Sequence, residues 1–109
     1  MKYTMAFILC GSAAFADAPV ITAATAVDGR FSVTLTHPDT GWDHYADGWR
    51  VEDADGTVLG LRVLAHPHVN EQPFTRSLMI DGPLPDVVYI RARDSIDGWA
   101  KAVFEIAPE

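Results

Sequence analysis

The chain has 109 residues, a formal net charge of −7 and one cysteine. This length predicts a single domain. An acidic balance without a basic patch argues against nucleic acid or anionic lipid as a partner. The charge instead suits high solubility, attraction of cations or binding of a basic protein.

The first sixteen residues have the features of a secretory signal peptide. Met1-Lys2 is a short basic start, Tyr3 to Gly11 is apolar, and Ala14-Phe15-Ala16 has the small-x-small pattern of a cleavage site. We therefore predict a leader at 1–16, a mature domain at 17–109 and a periplasmic or secreted location. No later stretch is long and apolar enough to predict a membrane anchor.

The single cysteine, Cys10, falls within the predicted leader. Leu9 precedes it, where a lipoprotein signal requires a small residue, so the sequence does not favour a lipid anchor. The mature chain then has no disulfide and must depend on a packed core. Any metal would be bound by nitrogen and oxygen ligands, or by a methionine thioether.

The rest of the chain is typical of seven short strands separated by turns, without helical periodicity. Between 30 and 37, Phe31, Val33 and Leu35 alternate with polar residues, as in a half-buried antiparallel strand. Asp28-Gly29 just before it is a strong hairpin signal. The predicted strands are 20–27, 30–37, 46–52, 58–65, 74–80, 87–93 and 102–106.

This spacing favours an all-β fold, a single seven-stranded antiparallel β-sandwich. The run from Val87 to Ser95, a tyrosine-containing strand followed by a Gly-bearing turn and a terminal strand, resembles the last hairpin of fibronectin type III and other immunoglobulin-like domains. Alternation places Val88, Ile90 and Ala92 inward and Tyr89 outward. The predicted core comprises Phe31, Val33, Leu35, Trp49, Val51, Leu61, Val63, Val88, Ile90 and Phe104.

Four histidines form two pairs along the chain, and imidazole is the commonest protein ligand for zinc and copper. His37 and His44 flank one turn, while His66 and His68 begin the next polar loop. Loops at one end of a sandwich converge, so we predict a metal site formed by all four. Further candidate ligands are Asp94, Asp97 and Glu71. The alternative is that the histidines are ordinary turn residues that bond to the backbone.

A second resemblance rests on two short segments. His37-Pro38, followed by Asp43-His44-Tyr45, is similar to the His-Pro…Glu-His-Tyr segment of superoxide reductases, which have an immunoglobulin-like sandwich. Asp94 and Asp97 stand where that family has cysteine and histidine ligands. The resemblance therefore implies the fold and not iron–thiolate chemistry. The stretch 37–41 is also similar to the Z subunit of the sulfur-oxidation carrier, another such sandwich.

Other motifs predict less. Asp53-Ala54-Asp55-Gly56 begins like a calcium loop, but Leu64 occupies the position of its bidentate glutamate, so a turn is favoured. Ser95 lies in no nucleophile motif, and no catalytic residue is predicted. Trp42 and Trp99 lie in loops, either covering the end of the sandwich or contacting a partner.

Two functions follow from the sequence. The first is an exported binding module with a copper or zinc site, serving metal carriage or a simple metal-dependent reaction. The second is a metal-free interaction domain that docks on an envelope protein through a sheet edge or its tryptophan loops. An enzyme without metal is the least favoured, because small sandwiches with short loops seldom have a concave pocket.

Overall fold

A computed structural model describes residues 18–109, so the predicted signal peptide at 1–16 lies outside the described residues. The chain between 18 and 109 contains no helix and forms eight strands, all paired antiparallel. They are β1 (Val20–Val27), β2 (Arg30–Thr36), β3 (Ala46–Glu52), β4 (Val58–Val63), β5 (Phe74–Met79), β6 (Val88–Asp94), β7 (Gly98–Trp99) and β8 (Phe104–Ile106). The prediction of an all-β chain is confirmed. No helix of this region is long and apolar enough to cross a membrane.

The strands form two sheets. One has the order β1-β2-β5, and the other has the order β4-β3-β6-β7, with β8 also pairing with β6. Asp28 and Gly29 connect β1 to β2 with φ angles of 52° and 85°. Positive φ at both central positions is what a tight hairpin of the primed type requires, and Asp-Gly meets that requirement readily.

One apolar core lies between the inward faces of the two sheets. Phe31, Val33 and Leu35 of β2 are completely buried, as the period-two alternation predicted. In β6, Val88, Ile90 and Ala92 are buried and Tyr89 lies on the other face, also as predicted. The buried residues of this core are Ala26, Phe31, Val33, Leu35, Ala46, Trp49, Val51, Leu64, Phe74, Val88, Ile90 and Ala92.

The predicted inward face of β4 is wrong. Leu61 and Val63 are 51% and 63% exposed. The register pairs Leu61 with Arg50 and places Gly60 opposite the buried Val51. Directly paired residues share a face of the sheet, so a difference of one residue exchanges the two faces. Leu64, just beyond β4, is buried instead.

The predicted last strand, 102–106, is shortened to β8, and the additional short strand β7 lies before it in a segment that the sequence did not predict as a strand. Between them, Arg91 Nη1 donates hydrogen bonds to the carbonyl oxygens of Ala100 (2.8 Å) and Lys101 (2.9 Å). The same guanidinium bonds to Glu52, with Arg91 Nε 2.8 Å from Glu52 Oε2. The side chain of Arg91 thus satisfies carbonyls in the irregular segment between the two short strands.

Candidate metal centre

The loop after β2 turns a histidine and an aspartate into the protein interior. His37 and Asp39 are 1% and 7% exposed. His37 Nδ1 lies 2.6 Å from Asp39 Oδ1, a charge-assisted hydrogen bond. The backbone N–H of Ala46 also donates to Asp39 Oδ1 (2.9 Å), and that of His68 donates to Asp39 Oδ2 (2.7 Å). Asp39 therefore connects the start of β3 and the loop after β4 to His37.

Gln72 also connects His37 to the loop that follows β4. Gln72 Oε1 accepts hydrogen bonds from the backbone N–H of His37 (3.0 Å) and from Thr36 Oγ1 (3.3 Å). Gln72 Nε2 donates to the carbonyl of His68 (2.9 Å). The side chain of Gln72 therefore holds the segment from His68 to Gln72 against the end of β2.

A short turn brings His44 beside His37. The backbone N–H of His44 donates to the Gly41 carbonyl (3.2 Å), and that of Thr40 donates to the His44 carbonyl (3.0 Å). The two imidazole rings meet edge to face, with centroids 4.8 Å apart. Gly41 has a φ of 143°, a backbone conformation that residues other than glycine rarely adopt. This turn directs His44 toward the end of β6.

Asp94 ends β6, and its side chain is completely buried. One carboxylate oxygen, Oδ1, accepts hydrogen bonds from the backbone N–H groups of Ile96 (2.9 Å) and Asp97 (2.7 Å). These bonds fix the orientation of the carboxylate and form the turn into β7. The second oxygen, Oδ2, is buried and has no hydrogen-bond partner within residues 18–109.

His37, His44 and Asp94 form a cluster in which one ligand atom from each residue lies within 4.8 Å of the other two. His44 Nε2 is 3.3 Å from Asp94 Oδ1. His37 Nε2 and His44 Nε2 are also buried without hydrogen-bond partners in the described part of the chain. Three potential ligands thus converge, and each retains an unpaired atom.

The second histidine pair lies outside this cluster. His66 is exposed, whereas His68 is 5% exposed and stacks on Phe74 with centroids 3.9 Å apart. Burial, reinforced by the positive charge of Arg76, lowers the pKa of His68 below its usual range. Neither ring nitrogen of His68 has a hydrogen-bond partner among the described residues. The four predicted ligands therefore separate into His37 and His44 within the cluster and His66 and His68 beside it.

Of the further candidate ligands, the structure brings only Asp94 into the cluster. Glu71 instead pairs with Arg76, with Arg76 Nη2 3.1 Å from Glu71 Oε1, and this hydrogen bond lowers the pKa of Glu71. Asp97 is exposed and contributes its backbone N–H to Asp94. The sequence analysis missed Asp39 and Gln72, although Asp39 lies two residues after His37 and shares its turn.

The remaining motifs have structural contacts. The hydroxyl oxygen of Ser95 accepts a hydrogen bond from the backbone N–H of Tyr45 (3.1 Å). Asp53 Oδ1 accepts backbone N–H groups from Asp55 and Thr57, both at 2.9 Å, as in an ordinary aspartate turn. Trp99 lies beneath the Arg50 guanidinium, 4.0 Å from its ring centroid. Trp42 is 68% exposed, so the two loop tryptophans have different environments.

The comparison with known proteins gives one informative relative. The chain is 47% identical over 71 residues to a protein of Halomicrobium mukohataei named "Putative lipoprotein". The match covers 64% of this chain and 35% of the relative, so this chain spans about a third of that protein's length. The chain matches no described protein family, and no solved structure resembles it at a significant level.

Proposed function

We propose that this protein is an exported domain that binds one divalent transition-metal ion through His37, His44 and Asp94. The observation that carries the proposal is the convergence of ligand atoms from two buried side chains, His37 and Asp94, and one partly buried side chain, His44, within 4.8 Å. A buried polar atom without a partner is costly. A cation bound by all three residues would satisfy these atoms together.

The ligand atoms follow from the hydrogen bonds that are already made. Because His37 Nδ1 is bonded to Asp39, His37 would bind through Nε2. His44 would also bind through Nε2, the atom that faces Asp94. Asp94 would bind through Oδ2, since its Oδ1 accepts two backbone hydrogen bonds. Two imidazoles and one carboxylate suit zinc or copper(II) better than calcium, which prefers six to eight oxygen ligands.

A set of three protein ligands leaves at least one coordination position for water or an exogenous ligand, as in catalytic zinc sites. The His44 side chain is 18% exposed, whereas that of His37 is completely buried. Entry is therefore proposed from the side of His44. Metal carriage and a simple metal-dependent reaction are both compatible with an open position of this kind.

An immunoglobulin-like sandwich is the proposed scaffold. Strands β1, β2 and β5 correspond in order to A, B and E of that fold, and β3, β6 and β7/β8 correspond to C, F and G. Strand β4 lies beside β3, as C′ does in variable-type domains. In this correspondence the cluster lies on the B–C and F–G loops, which share one end of a sandwich.

The proposed location is the cell envelope or the exterior of the cell. The basic start, apolar run and small-x-small site within 1–16 support export. The name of the Halomicrobium relative supports association with an envelope. The strong acidic balance is consistent with a domain that attracts cations from its surroundings.

The test is metal binding by the purified protein. Elemental analysis and calorimetric titration with zinc and copper(II) should show one equivalent, and this binding should be lost in His37→Ala and Asp94→Asn. His66→Ala is the matched control, because it removes an exposed imidazole outside the cluster. Equal loss in the control and the cluster variants would contradict the proposal.

The second candidate function is a metal-free interaction domain that docks on an envelope protein. Its support is an exposed apolar surface on the edge strand β4, where Val58, Leu61 and Val63 are 47%, 51% and 63% exposed. Edge strands with such residues are available for pairing with another chain. Two results together would favour this function. The wild-type protein would bind no metal, and it would co-purify with an envelope protein that the Leu61→Lys variant does not retain.

A further inference from the structure

We propose that Asp39 is the positioning residue of the metal centre, which holds His37 so that Nε2 faces the ion. This inference rests on the proposed function. The hydrogen bonds of Asp39 do not include His44 or Asp94. Asp39 acts through the His37 ring, because its Oδ1 lies 2.6 Å from His37 Nδ1. Its side chain is completely buried.

The hydrogen bonds of Asp39 select one tautomer of His37. The Asp39 carboxylate only accepts hydrogen bonds when ionised, so His37 Nδ1 must carry the proton that it donates. The neutral ring then has its lone pair on Nε2, the atom that a divalent metal requires. His37 Nε2 is buried and unpartnered within the described chain, as expected of a nitrogen kept available for a ligand.

The environment of Asp39 keeps this carboxylate in place. Two backbone N–H groups, from Ala46 and His68, donate to different oxygens of the carboxylate at 2.9 and 2.7 Å. These two hydrogen bonds fix the orientation of the carboxylate toward the His37 ring. Loss of such a partner behind a ligating histidine typically weakens metal binding by about 10–100-fold.

Asp39 also connects two loops, so its substitution will change stability as well as binding. A control must therefore disturb the same loops without touching the His37 ring. Gln72→Ala meets this need, because Gln72 bonds to the backbone of His37 and His68 and not to the imidazole. Asp39→Asn keeps the size of the side chain while removing its charge and one acceptor.

The experiment compares wild type, Asp39→Asn and Gln72→Ala by copper(II) titration and by electron paramagnetic resonance of the copper(II) forms. We expect Asp39→Asn to bind about 10–100-fold more weakly and to show altered copper hyperfine parameters. Gln72→Ala should keep the wild-type spectrum and an affinity within about threefold of wild type. Copper binding by Asp39→Asn with wild-type affinity and spectrum would overturn the positioning role, as would equal weakening in Gln72→Ala.

A second measurement applies if Asp39→Asn does not fold. Long-range ¹H–¹⁵N spectra of the metal-free wild-type protein report the tautomer of each histidine. The Nδ1–H tautomer at His37 supports the proposal, and the Nε2–H tautomer overturns it. Failure of wild-type protein to bind metal would overturn the proposed function and the positioning role together, whereas metal binding that is indifferent to Asp39→Asn overturns the positioning role alone.

Discussion

His44 Nε2 lies 3.3 Å from Asp94 Oδ1, although the two residues come from opposite halves of the chain. Two local turns produce this contact. The turn closed between Gly41 and His44 directs the imidazole toward β6, and the N–H groups of Ile96 and Asp97 orient the carboxylate. Both features could exist in a domain without a metal, but together with His37 they bring three potential ligands to one place.

The first prediction concerns the pH dependence contributed by His68. Burial lowers the pKa of His68 in the folded protein, so protonation favours the unfolded chain, in which the pKa is about 6.5. This contribution to stability is present above the unfolded value and is lost as the pH falls from about 6.5 toward the folded pKa. Urea unfolding in the presence of a chelator should show declining stability between about pH 7 and 5.

His68→Gln is the variant that isolates this effect, because glutamine does not titrate. It should be less stable than wild type at neutral pH, through loss of the stack on Phe74. Its stability should nevertheless change less between pH 7 and 5. If the stability of His68→Gln depends on pH as steeply as that of wild type, burial does not lower the pKa of His68.

The second prediction concerns Glu52 on the outer face of the five-stranded sheet. Arg91 and, to a smaller extent, Arg50 lower the pKa of Glu52 through hydrogen bonds, against the raising effect of burial. Their guanidinium Nε atoms lie 2.8 and 2.6 Å from Glu52 Oε2. Hydrogen bonds to charged groups contribute about 1.5–3 kcal/mol each when partly buried, so Glu52→Gln should destabilise by about 2 kcal/mol at pH 7.

The pH dependence of this variant follows from the sign of the shift. A carboxylate with a lowered folded pKa stabilises the protein above its unfolded value, about 4.3, and loses that contribution as the pH falls. The difference between wild type and Glu52→Gln should therefore shrink below about pH 4. Thermal unfolding at pH 7 and pH 3.5 measures it, and a constant difference would contradict the assignment.

The third prediction uses two valines on neighbouring strands. Val51 of β3 is completely buried and Val63 of β4 is 63% exposed. Val51→Ala should cost about 2 kcal/mol through lost burial and a cavity, whereas Val63→Ala should cost less than about 0.5 kcal/mol. Chemical denaturation compares the two identical changes. Similar losses would place Val63 in the core after all.

These valines also show why part of the fold was predictable and part was not. In β2 and β6 one alternating set is clearly more apolar than the other, so the buried face is evident from the sequence. In β4, Leu59, Leu61 and Val63 occupy the same alternating positions, yet only Leu59 packs against the core, and Leu61 and Val63 are exposed. Their position depends on the register with β3 and on the bulky Ile80 and Leu78 lying over Gly60.

The site was predictable to a similar degree. His37 and His44 could be named as candidate ligands from their residue type and their place beside a turn, and Asp94 could be named as a further candidate. Asp39 could not, since an aspartate after proline in a turn is ordinary. Its importance comes from contacts with Ala46, on the far side of the turn, and with His68, which is distant in sequence. Likewise, the separation of His66 and His68 from the cluster depends on a loop conformation that local patterns do not specify.

The most direct test of the metal centre is to observe which histidines respond when the metal binds. Long-range ¹H–¹⁵N spectra of the imidazoles would be recorded before and after addition of one equivalent of zinc. The proposed site predicts large shifts at Nε2 of His37 and of His44, with His66 unchanged. Shifts confined to His66 and His68, or none at any histidine, would contradict it.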